Sequence, residues 1–328
     1  MTKFAGPAEF EDEMLAIGLD RHRDLVRGMV ECWHSGSNMI EWAKSSFLTD
    51  QELSNPMTHD LVIRLAYDMQ AGSYVAWARG NAQLNTDWCG QIAAILEPLA
   101  PSNSFSLLEV GVGEATTLSG VLGQMSNGPA KAFGVDLSFA RLEVARRYLR
   151  DKGQEASLAV ANLFQLPFKS DSIDLVYSSH SLEPNYGRER EAIRELLRVA
   201  KQHVVLVEPD FEGANETARR RMRKNGYVRN LAKAAELAGA TISDQMNLPI
   251  MRNPLNPVKA WVLQKSNPSR PDSNTHENVD LAFVSPTTGE ELTNPSGALA
   301  STKSGIGYPI VNGIPLLAAE HLLVQPGV

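Results

Sequence analysis

The sequence predicts an α/β fold: an open, mostly parallel β-sheet with helices on both faces, preceded by a helical region and followed by a small β unit. Three observations indicate this fold. Residues 105–265 alternate strand-like and helix-like apolar segments, as parallel sheets with crossover helices do. The first strand, "FSLLEVG", runs into a glycine-rich turn, "GVGEA". Residues 1–100 instead carry apolar residues at helical spacing.

The N-terminal region, residues 1–100, is predicted to be helical and to cover a binding site as a lid. Four of its residues recur at intervals of three or four and predict one buried helix face: Leu25, Met29, Cys32 and Trp33. A later helix has Thr58 or Asp60 as its expected N-cap, and breaks are expected near Gly72 and Gly80.

The elements of the sheet domain follow in order. The predicted strands are 105–111, 131–138, 156–163, 172–179, 203–209, 240–250 and 260–265. The predicted helices are 116–125, 139–153, 188–201 and 216–239. Gly153 closes the second of these helices, as glycine commonly does.

Charge disfavours a nucleic-acid partner. The chain of 328 residues has a net charge of −7, and residues 1–100 alone, with 7 Lys+Arg and 14 Asp+Glu, account for 7 − 14 = −7. Proteins that hold a phosphate backbone usually present a broad basic surface. Only "ARRRMRK", residues 218–224, is densely basic here. We therefore expect no nucleic-acid partner and leave a homodimer open.

The two cysteines, Cys32 and Cys89, cannot form a disulfide framework, and no CxxC pair exists for zinc. Both are expected to be small core residues. No apolar run is long enough to span a membrane, and the first residues lack the features of a signal peptide. The expected location is the cytoplasm, with no membrane partner.

The glycine turn lies where an open parallel sheet binds ligands, beyond the C-terminal strand ends. A dinucleotide-binding turn needs glycine or alanine three residues after its second glycine, and Thr116 stands there, with Ala115 one residue earlier. Glu109, two residues before Gly111, would repel a pyrophosphate but attract the ammonium and sulfonium groups of S-adenosylmethionine. Asp136, which ends the next strand, could accept the ribose hydroxyls of either cofactor, or cap the following helix.

Four sequence blocks, within roughly residues 104–265, resemble the class I S-adenosylmethionine-dependent methyltransferases: "LLEVGVGEA", "GVDLS", "VANLFQLPFKSDSIDLVYSSHSLEP" and "HVVLVEP". The resemblance implies a Rossmann-like sheet, methyl transfer as the activity and S-adenosyl-L-methionine as the cofactor. It also implies a set of cofactor contacts: Glu109, Gly111, Gly113, Asp136, Leu137, Asn162, Leu163 and Ser178.

Within this set, Asn162 stands where the family usually has an aspartate that contacts the adenine amino group. Its side-chain oxygen could accept the same hydrogen bond, although a loop-turn role stays open. The resemblance implies that Leu163 lies against the adenine ring. It also implies that residues 178–180 end the fourth strand beside the methionine half of the cofactor.

Methyl transfer from a sulfonium is an in-line displacement, and an oxygen acceptor must also lose a proton. His180, just past the fourth strand, is the predicted general base, and Glu183, three residues later, would orient its ring. The alternative is a strand-end histidine that faces solvent or caps the next helix. Tyr74 in the lid region is the predicted acceptor contact, and Glu208 and Asp210 are reserve bases.

The C-terminal part is predicted as a polar linker, 266–278, followed by a small β domain, 279–328. Its "YPIVNGIP" resembles zinc-ribbon proteins that include the activator subunit of tRNA and protein methyltransferases. The family's cysteines fall on Ser285, Thr288 and near Ser301, which cannot act as thiolate ligands. The resemblance therefore implies a metal-free fold, and the plainer alternative is an appendage on the sheet edge. The other domains are predicted at 1–100 and 101–265.

Two functions from different classes are retained. The leading one is methylation of a small molecule or glycan in metabolite biosynthesis, on oxygen. The second is methylation of RNA or a translation factor, with the activator carried in cis, which the C-terminal unit and the basic residues of 219–224 favour. A non-catalytic cofactor-binding protein is disfavoured because the four cofactor blocks are intact.

Overall fold

The computed structural model describes residues 18–102, 104–266, 283–294 and 297–324. Its main element is a seven-stranded sheet of order β3-β2-β1-β4-β5-β7-β6. The strands are β1 Ser106–Val110, β2 Lys131–Asp136, β3 Ser157–Val160, β4 Ile173–Ser179, β5 Ala200–Pro209, β6 Ala240–Leu248 and β7 Val258–Lys265. Strands β1 to β5 pair in parallel, whereas β7 is antiparallel to both β5 and β6. The predicted open, mostly parallel sheet is confirmed.

Helices cover both faces of this sheet. They are α1 Leu19–Ser35, α2 Met39–Trp42, α3 Asp50–Leu53, α4 Pro56–Met69, α5 Ser73–Gly80, α6 Ala82–Leu96, α7 Thr116–Leu122, α8 Phe139–Asp151, α9 Glu189–Val199, α10 Glu216–Lys224 and α11 Leu231–Leu237. A π-helical turn, Ala43–Phe47, follows α2. Neighbouring strand residues face opposite cores because side chains alternate along a strand. Leu107 packs in the core beneath α6, α7 and α8, and Leu108 in the core beneath α9 and α11.

The N-terminal helices form a smaller core of their own, in which Leu25, Met29 and Cys32 of α1 are buried. The prediction that Trp33 shares this face is wrong, since that residue is 47% exposed. At about 100° per residue, Trp33 lies about 80° round the helix from Leu25 and falls outside the apolar stripe. Both cysteines are buried, as expected.

The helix boundaries in the N-terminal region partly match those predicted from the sequence. Gly72 and Gly80 break the helices as predicted. The N-cap of α4 is Asn55, whose side chain accepts the N–H of Met57, so the cap expected at Thr58 or Asp60 is wrong. No helix in the described ranges is long and apolar enough to cross a membrane.

The helix predicted over 216–239 is two helices, α10 and α11. Asn225 caps the end of α10, and Gly226 and Asn230 follow with φ of +66° and +52°. Left-handed backbone ends a right-handed helix, and glycine and asparagine adopt it at the lowest cost. The break turns α10 toward the cavity described below.

A small antiparallel sheet follows the main domain, built from β8 Ala298–Ala300, β9 Ile306–Val311, β10 Ile314–Pro315 and β11 Leu323–Val324. It lies against β3, the edge strand of the main sheet. Val160 bridges in parallel to Leu316, and the N–H of Leu317 donates to the Val160 carbonyl at 2.7 Å. Most of the predicted linker 266–278 lies outside the described residues.

Hydroxyl side chains close the two turns of this unit. The Oγ of Ser285 accepts the N–H of Thr288 at 3.1 Å and lies 3.0 Å from the Tyr308 hydroxyl. The Oγ of Ser301 accepts the N–H of Lys303 at 3.1 Å and donates to Glu290. These hydrogen bonds satisfy the polar groups of the turns within the protein itself.

We expect the purified protein to contain no stoichiometric zinc, because hydroxyls stand at Ser285, Thr288 and Ser301 where thiolates would be needed. The measurement is elemental analysis after dialysis, together with thermal unfolding with and without a chelator. We expect the unfolding temperature to be the same in both. One zinc per chain, or a chelator-dependent loss of stability, would contradict this prediction.

Candidate active site

A cavity of about 430 Å³ opens at the C-terminal ends of β1, β2 and β4, within the roughly 300–1,000 Å³ usual for ligand sites. It lies at the position where the sequence placed the glycine turn. Ten of the residues singled out from the sequence line it: Tyr74, Glu109, Gly111, Gly113, Asp136, Leu137, Asn162, Leu163, His180 and Glu183.

Ser178 does not line the cavity. Its side chain is fully buried and donates to Glu208 at 3.0 Å. Because side chains alternate along β4, Ser179 faces the cavity in its place. The predicted role of Ser178 as a direct cofactor contact therefore has no support in the geometry.

The glycine turn depends on two left-handed residues, Gly111 at φ +71° and Gly113 at φ +53°. A Cβ on Gly111 would lie 2.1 Å from the Cβ of Ser181, so this position also lacks room for a side chain. A Cβ on Gly113 would meet nothing closer than 3.8 Å, the distance to the Tyr74 ring. The turn thus packs tightly against Ser181 at Gly111, whereas a Cβ at Gly113 would make only ordinary van der Waals contacts.

Glu109 is buried at the end of β1, where the Tyr177 hydroxyl donates to its Oε2 at 2.9 Å. Burial raises the pKa of Glu109 to about 8. The hydrogen bond from Tyr177 and the charge of Arg252 act in the opposite direction and lower this pKa. A bound ammonium would favour the charged form of Glu109. This carboxylate is the group that the sequence analysis pairs with the cationic groups of the cofactor.

Asp136 organises the turn from β2. Its Oδ2 accepts the N–H of Gly113, and its Oδ1 accepts the N–H of Ser138, both at 2.8 Å. The N-cap of α8 is Ser138, so the capping alternative for Asp136 is excluded. A carboxylate has about four acceptor positions, so two remain for the hydroxyls of a ribose.

The other end of the cavity holds a residue that the sequence did not single out as a ligand contact, Asp60 of α4. The Oδ1 of Asn162 accepts the N–H of Phe164 at 3.0 Å, and its Nδ2 donates to Asp60 at 2.7 Å. Arg188 also donates to Asp60, at 3.2 Å. A carboxylate thus stands beside the asparagine that replaces the family's usual aspartate.

His180 and Glu183 form a hydrogen-bonded pair on the cavity wall, with Nδ1 and Oε2 2.8 Å apart. His180 has a φ of +58°, and its ring lies 5.5 Å from that of Trp88. Burial alone would lower the pKa of His180, but the hydrogen bond and charge of Glu183, with the charge of Glu208, raise it above 6.5 overall. The predicted pair is therefore assembled within one loop.

Glu208 and Asp210, the two alternative candidates for the general base, do not line the cavity. Oε1 of Glu208 accepts the N–H groups of Ser181 and Leu182 at 3.1 Å, and burial raises the pKa of Glu208 to about 7. Asp210 forms an ion pair with Lys259 at 2.9 Å. These contacts hold the loop in place.

Glu114 fastens the helical region to the glycine turn. Its two carboxylate oxygens accept the N–H groups of Gly72 and Val75 at 2.9 and 2.7 Å. Tyr74 is thereby held at the cavity, with the guanidinium of Arg141 4.0 Å from its ring centre. This places Tyr74 next to the turn, where a cofactor as well as an acceptor would be within its reach.

The residues present fit S-adenosylmethionine. The turn presents the carboxyl groups of Glu109 and Asp136, and Arg141, which lies beside Gly113, is paired with Glu114 at 3.7 Å. At the turn itself, these acceptor groups suit a cationic ligand with ribose hydroxyls and offer little to a pyrophosphate. Across the described ranges, no cluster of three or more His, Cys, Asp or Glu side chains is arranged to hold a metal ion.

Comparisons with known proteins agree with this geometry. Residues 108–207 match the family model described as a methyltransferase domain. This match contains the end of β1, the glycine turn, Asp136, Asn162 and the His180–Glu183 pair. No curated protein matches the chain in sequence.

Solved structures are similar to part of this chain at low identity. A chain of the Haloferax volcanii complex of the Trm112 methyltransferase activator and a methyltransferase is 16% identical, with 59% of this chain and 96% of that chain covered and a TM-score of 0.47. A sarcosine dimethylglycine methyltransferase from Galdieria sulphuraria is 11% identical, with 57% and 88% covered and a TM-score of 0.45. At these values the likeness says nothing about the acceptor. On the domain match, this chain carries a methyltransferase domain within residues 108–207 and is an S-adenosylmethionine-dependent enzyme.

Proposed function

We propose that the enzyme transfers a methyl group to an oxygen atom of a small molecule or glycan, in metabolite biosynthesis. The observation that carries this proposal is the His180–Glu183 pair, 2.8 Å apart on the wall of the cavity. An oxygen acceptor requires removal of a proton, and a histidine oriented by a carboxylate is suited to that task.

The cofactor would lie along the three strand ends. Asp136 would accept the ribose hydroxyls, and Leu137 and Leu163 would flank the adenine. Glu109 would face the ammonium group beside Gly111 and Gly113. The bound cofactor supplies the methyl group, on a positively charged sulfur. These roles rest on the lining of the cavity and on the chemistry of each side chain.

His180 would act as the general base. We assign the Nδ1 proton to the hydrogen bond with Glu183, which leaves Nε2 with a free lone pair. That nitrogen would accept the proton of the acceptor hydroxyl as the oxygen attacks. Glu183 is a positioning residue, because it acts through the imidazole ring.

The rate of methyl transfer should rise with pH, with a midpoint above 6.5, since the pKa of His180 is raised above that ordinary value. At lower pH the ring is protonated and cannot act as a base. Glu183→Gln removes a negative charge beside the ring, so the midpoint should move to lower pH. The measurement is kcat against pH at saturating cofactor. A flat profile, or a midpoint unmoved by Glu183→Gln, would contradict the role of the pair.

The basic residues of 219–224 give little support to an RNA acceptor, because most of them have partners within the protein. Arg219 donates to the carbonyls of Phe211 and Glu212. Arg223 pairs with Glu216, and Lys224 with Glu41. The remaining exposed charge is too small to hold a nucleic-acid backbone. A small acceptor bound in the cavity accounts for the structure better.

Asp60 would accept the adenine amino group in place of the aspartate that the family usually has. Asp60→Asn should weaken binding of S-adenosylhomocysteine by about tenfold, the scale of one hydrogen bond to a charged group. The analogue that carries hypoxanthine in place of adenine lacks this amino group, so its affinity should be the same for both proteins. Calorimetry with both ligands tests this, with Asp50→Asn as an exposed control. Equal weakening of both ligands would indicate a purely structural role.

The function is tested with ¹³C-methyl S-adenosylmethionine and three separate fractions: small metabolites, total RNA and total protein. We expect label in the metabolite fraction, with a ¹³C chemical shift that identifies a methyl group on oxygen. Label confined to RNA or protein would support the second function, and a methyl group on nitrogen, sulfur or carbon would overturn the proposed acceptor atom.

A further inference from the structure

Two arginines line the cavity and have no carboxylate partner among the described residues. Arg221 reaches it from α10, and Arg252 from the loop between β6 and β7. The side-chain hydrogen bonds of both arginines go to neutral groups: Arg252 donates to the amide oxygen of Asn85 at 3.0 Å, and Arg221 to the Tyr227 hydroxyl at 3.4 Å. Buried or half-buried cations usually have an anionic partner, so these two are unusual.

Aromatic side chains hold Arg252 in a fixed position. Its guanidinium lies 4.7 Å from the ring centre of Trp77 and 5.7 Å from that of Trp88. Trp88 also contacts the ring of His180, at 5.5 Å between centroids. Arg252 is therefore beside the proposed base, joined to it through one tryptophan.

Arg221 lies close to the Glu183 end of the His180–Glu183 pair. Tyr227, which its guanidinium contacts, also lines the cavity, and Glu183 helps to raise the pKa of that tyrosine. The two arginines thus border the part of the cavity in which an acceptor would meet His180, away from the adenine end near Asp60.

Both side chains carry nitrogen atoms without an acceptor. Nη1 of Arg221 and Nε of Arg252 are buried, and neither has a hydrogen-bond partner in the described part of the chain. An unpaired buried donor destabilises the protein, because the group has lost its hydrogen bonds to water without gaining others. Glu183 does not relieve it, because its carboxylate is hydrogen-bonded to His180.

We propose that the methyl acceptor carries a carboxylate or phosphate group, which Arg221 and Arg252 bind. Guanidinium groups match the planar pairs of oxygens in such anions. The anion would also offset the positive charge that two arginines and a sulfonium place in one cavity. Held in this way, the acceptor would present its hydroxyl to His180. The proposal rests on the proposed function and specifies its substrate class.

The test uses inorganic sulfate as the probe, titrated by calorimetry into protein saturated with S-adenosylhomocysteine, with chloride at equal ionic strength as the reference. Arg221→Gln and Arg252→Gln should each weaken sulfate binding by about tenfold or more. Arg220→Gln, an exposed arginine of the same helix, should leave it unchanged. The affinity for S-adenosylhomocysteine should be the same in all four proteins.

Equal sulfate affinity in every variant would mean an adventitious ion only and would overturn the proposal. A parallel loss of affinity for S-adenosylhomocysteine would also overturn it, because the arginines would then hold the cofactor's own carboxylate. A second measurement uses the labelled product from the metabolite fraction. Retention of that product on an anion exchanger at neutral pH supports the proposal. A labelled small molecule that is not retained would overturn it while leaving the proposed function intact, whereas label only on RNA or protein would reject the proposed function.

Discussion

Replacing His180 by alanine should lower kcat by about 10²–10⁴-fold, the usual contribution of general-base catalysis. The Kd of S-adenosylhomocysteine should stay nearly constant, because the ring is bound to Glu183 and packs against Trp88 on the acceptor side of the cavity. The measurements are initial rates on the acceptor identified by labelling and calorimetry with the demethylated cofactor.

Two further variants complete this experiment. His180→Asn removes the base but tolerates the left-handed backbone at φ +58°, so a loss of rate in both variants cannot be attributed to misfolding. His203→Ala, at the opposite end of β5, is the control and should retain full activity. Normal turnover in the His180 variants would show that His180 is not the general base. A fall in cofactor affinity that parallels the fall in rate would make it a cofactor contact.

Replacing Asp136 by alanine should weaken binding of S-adenosylhomocysteine by about 1–3 kcal/mol, roughly 5–150-fold. Two effects contribute: the ribose hydroxyls would lose their acceptor, and the N–H groups of Gly113 and Ser138 would lose theirs. Calorimetry on wild type, Asp136→Ala and the exposed control Asp244→Ala measures the change. We also expect no tight binding of NAD by the wild type.

Asp136→Asn separates the two contributions, because the amide keeps one oxygen for a backbone N–H. If the carboxylate binds the ribose, the asparagine variant should also lose affinity while its unfolding temperature stays close to that of the wild type. An unchanged Kd for Asp136→Ala, or tight binding of NAD without binding of the demethylated cofactor, would be incompatible with the proposed contacts.

The sequence was sufficient to predict the sheet and its helices, because the strand-like and helix-like segments alternate in the order that a parallel sheet requires. Seven apolar segments gave the seven strands, and the Glu109–Gly111–Gly113 pattern located the cavity. The spacing of apolar residues is less reliable for the face of a helix on which each residue lies. Trp33 lies about 80° round the helix from Leu25 and is exposed, yet its spacing predicts that it shares the buried face.

Some residues of the candidate site were not indicated by the sequence, because they reach the cavity through contacts between distant parts of the chain. Asp60 touches Asn162 across 102 positions of sequence, and nothing in the helix around Asp60 indicates that partner. Arg252 comes to His180 through Trp88 for the same reason. The sequence indicates Ser178 although Ser179 faces the cavity, because a strand pattern does not state which face of the strand the cavity is on.

The C-terminal unit has a consequence for truncated chains. Leu316 bridges to Val160 at the end of β3, the N–H of Leu317 donates to the Val160 carbonyl, and the carbonyl of Pro167 accepts the N–H of Val284. The loop that carries Asn162 is thus joined to this unit by backbone hydrogen bonds on both sides. A chain that ended before residue 283 would lack these bonds and would leave the end of β3 open to pairing with other strands.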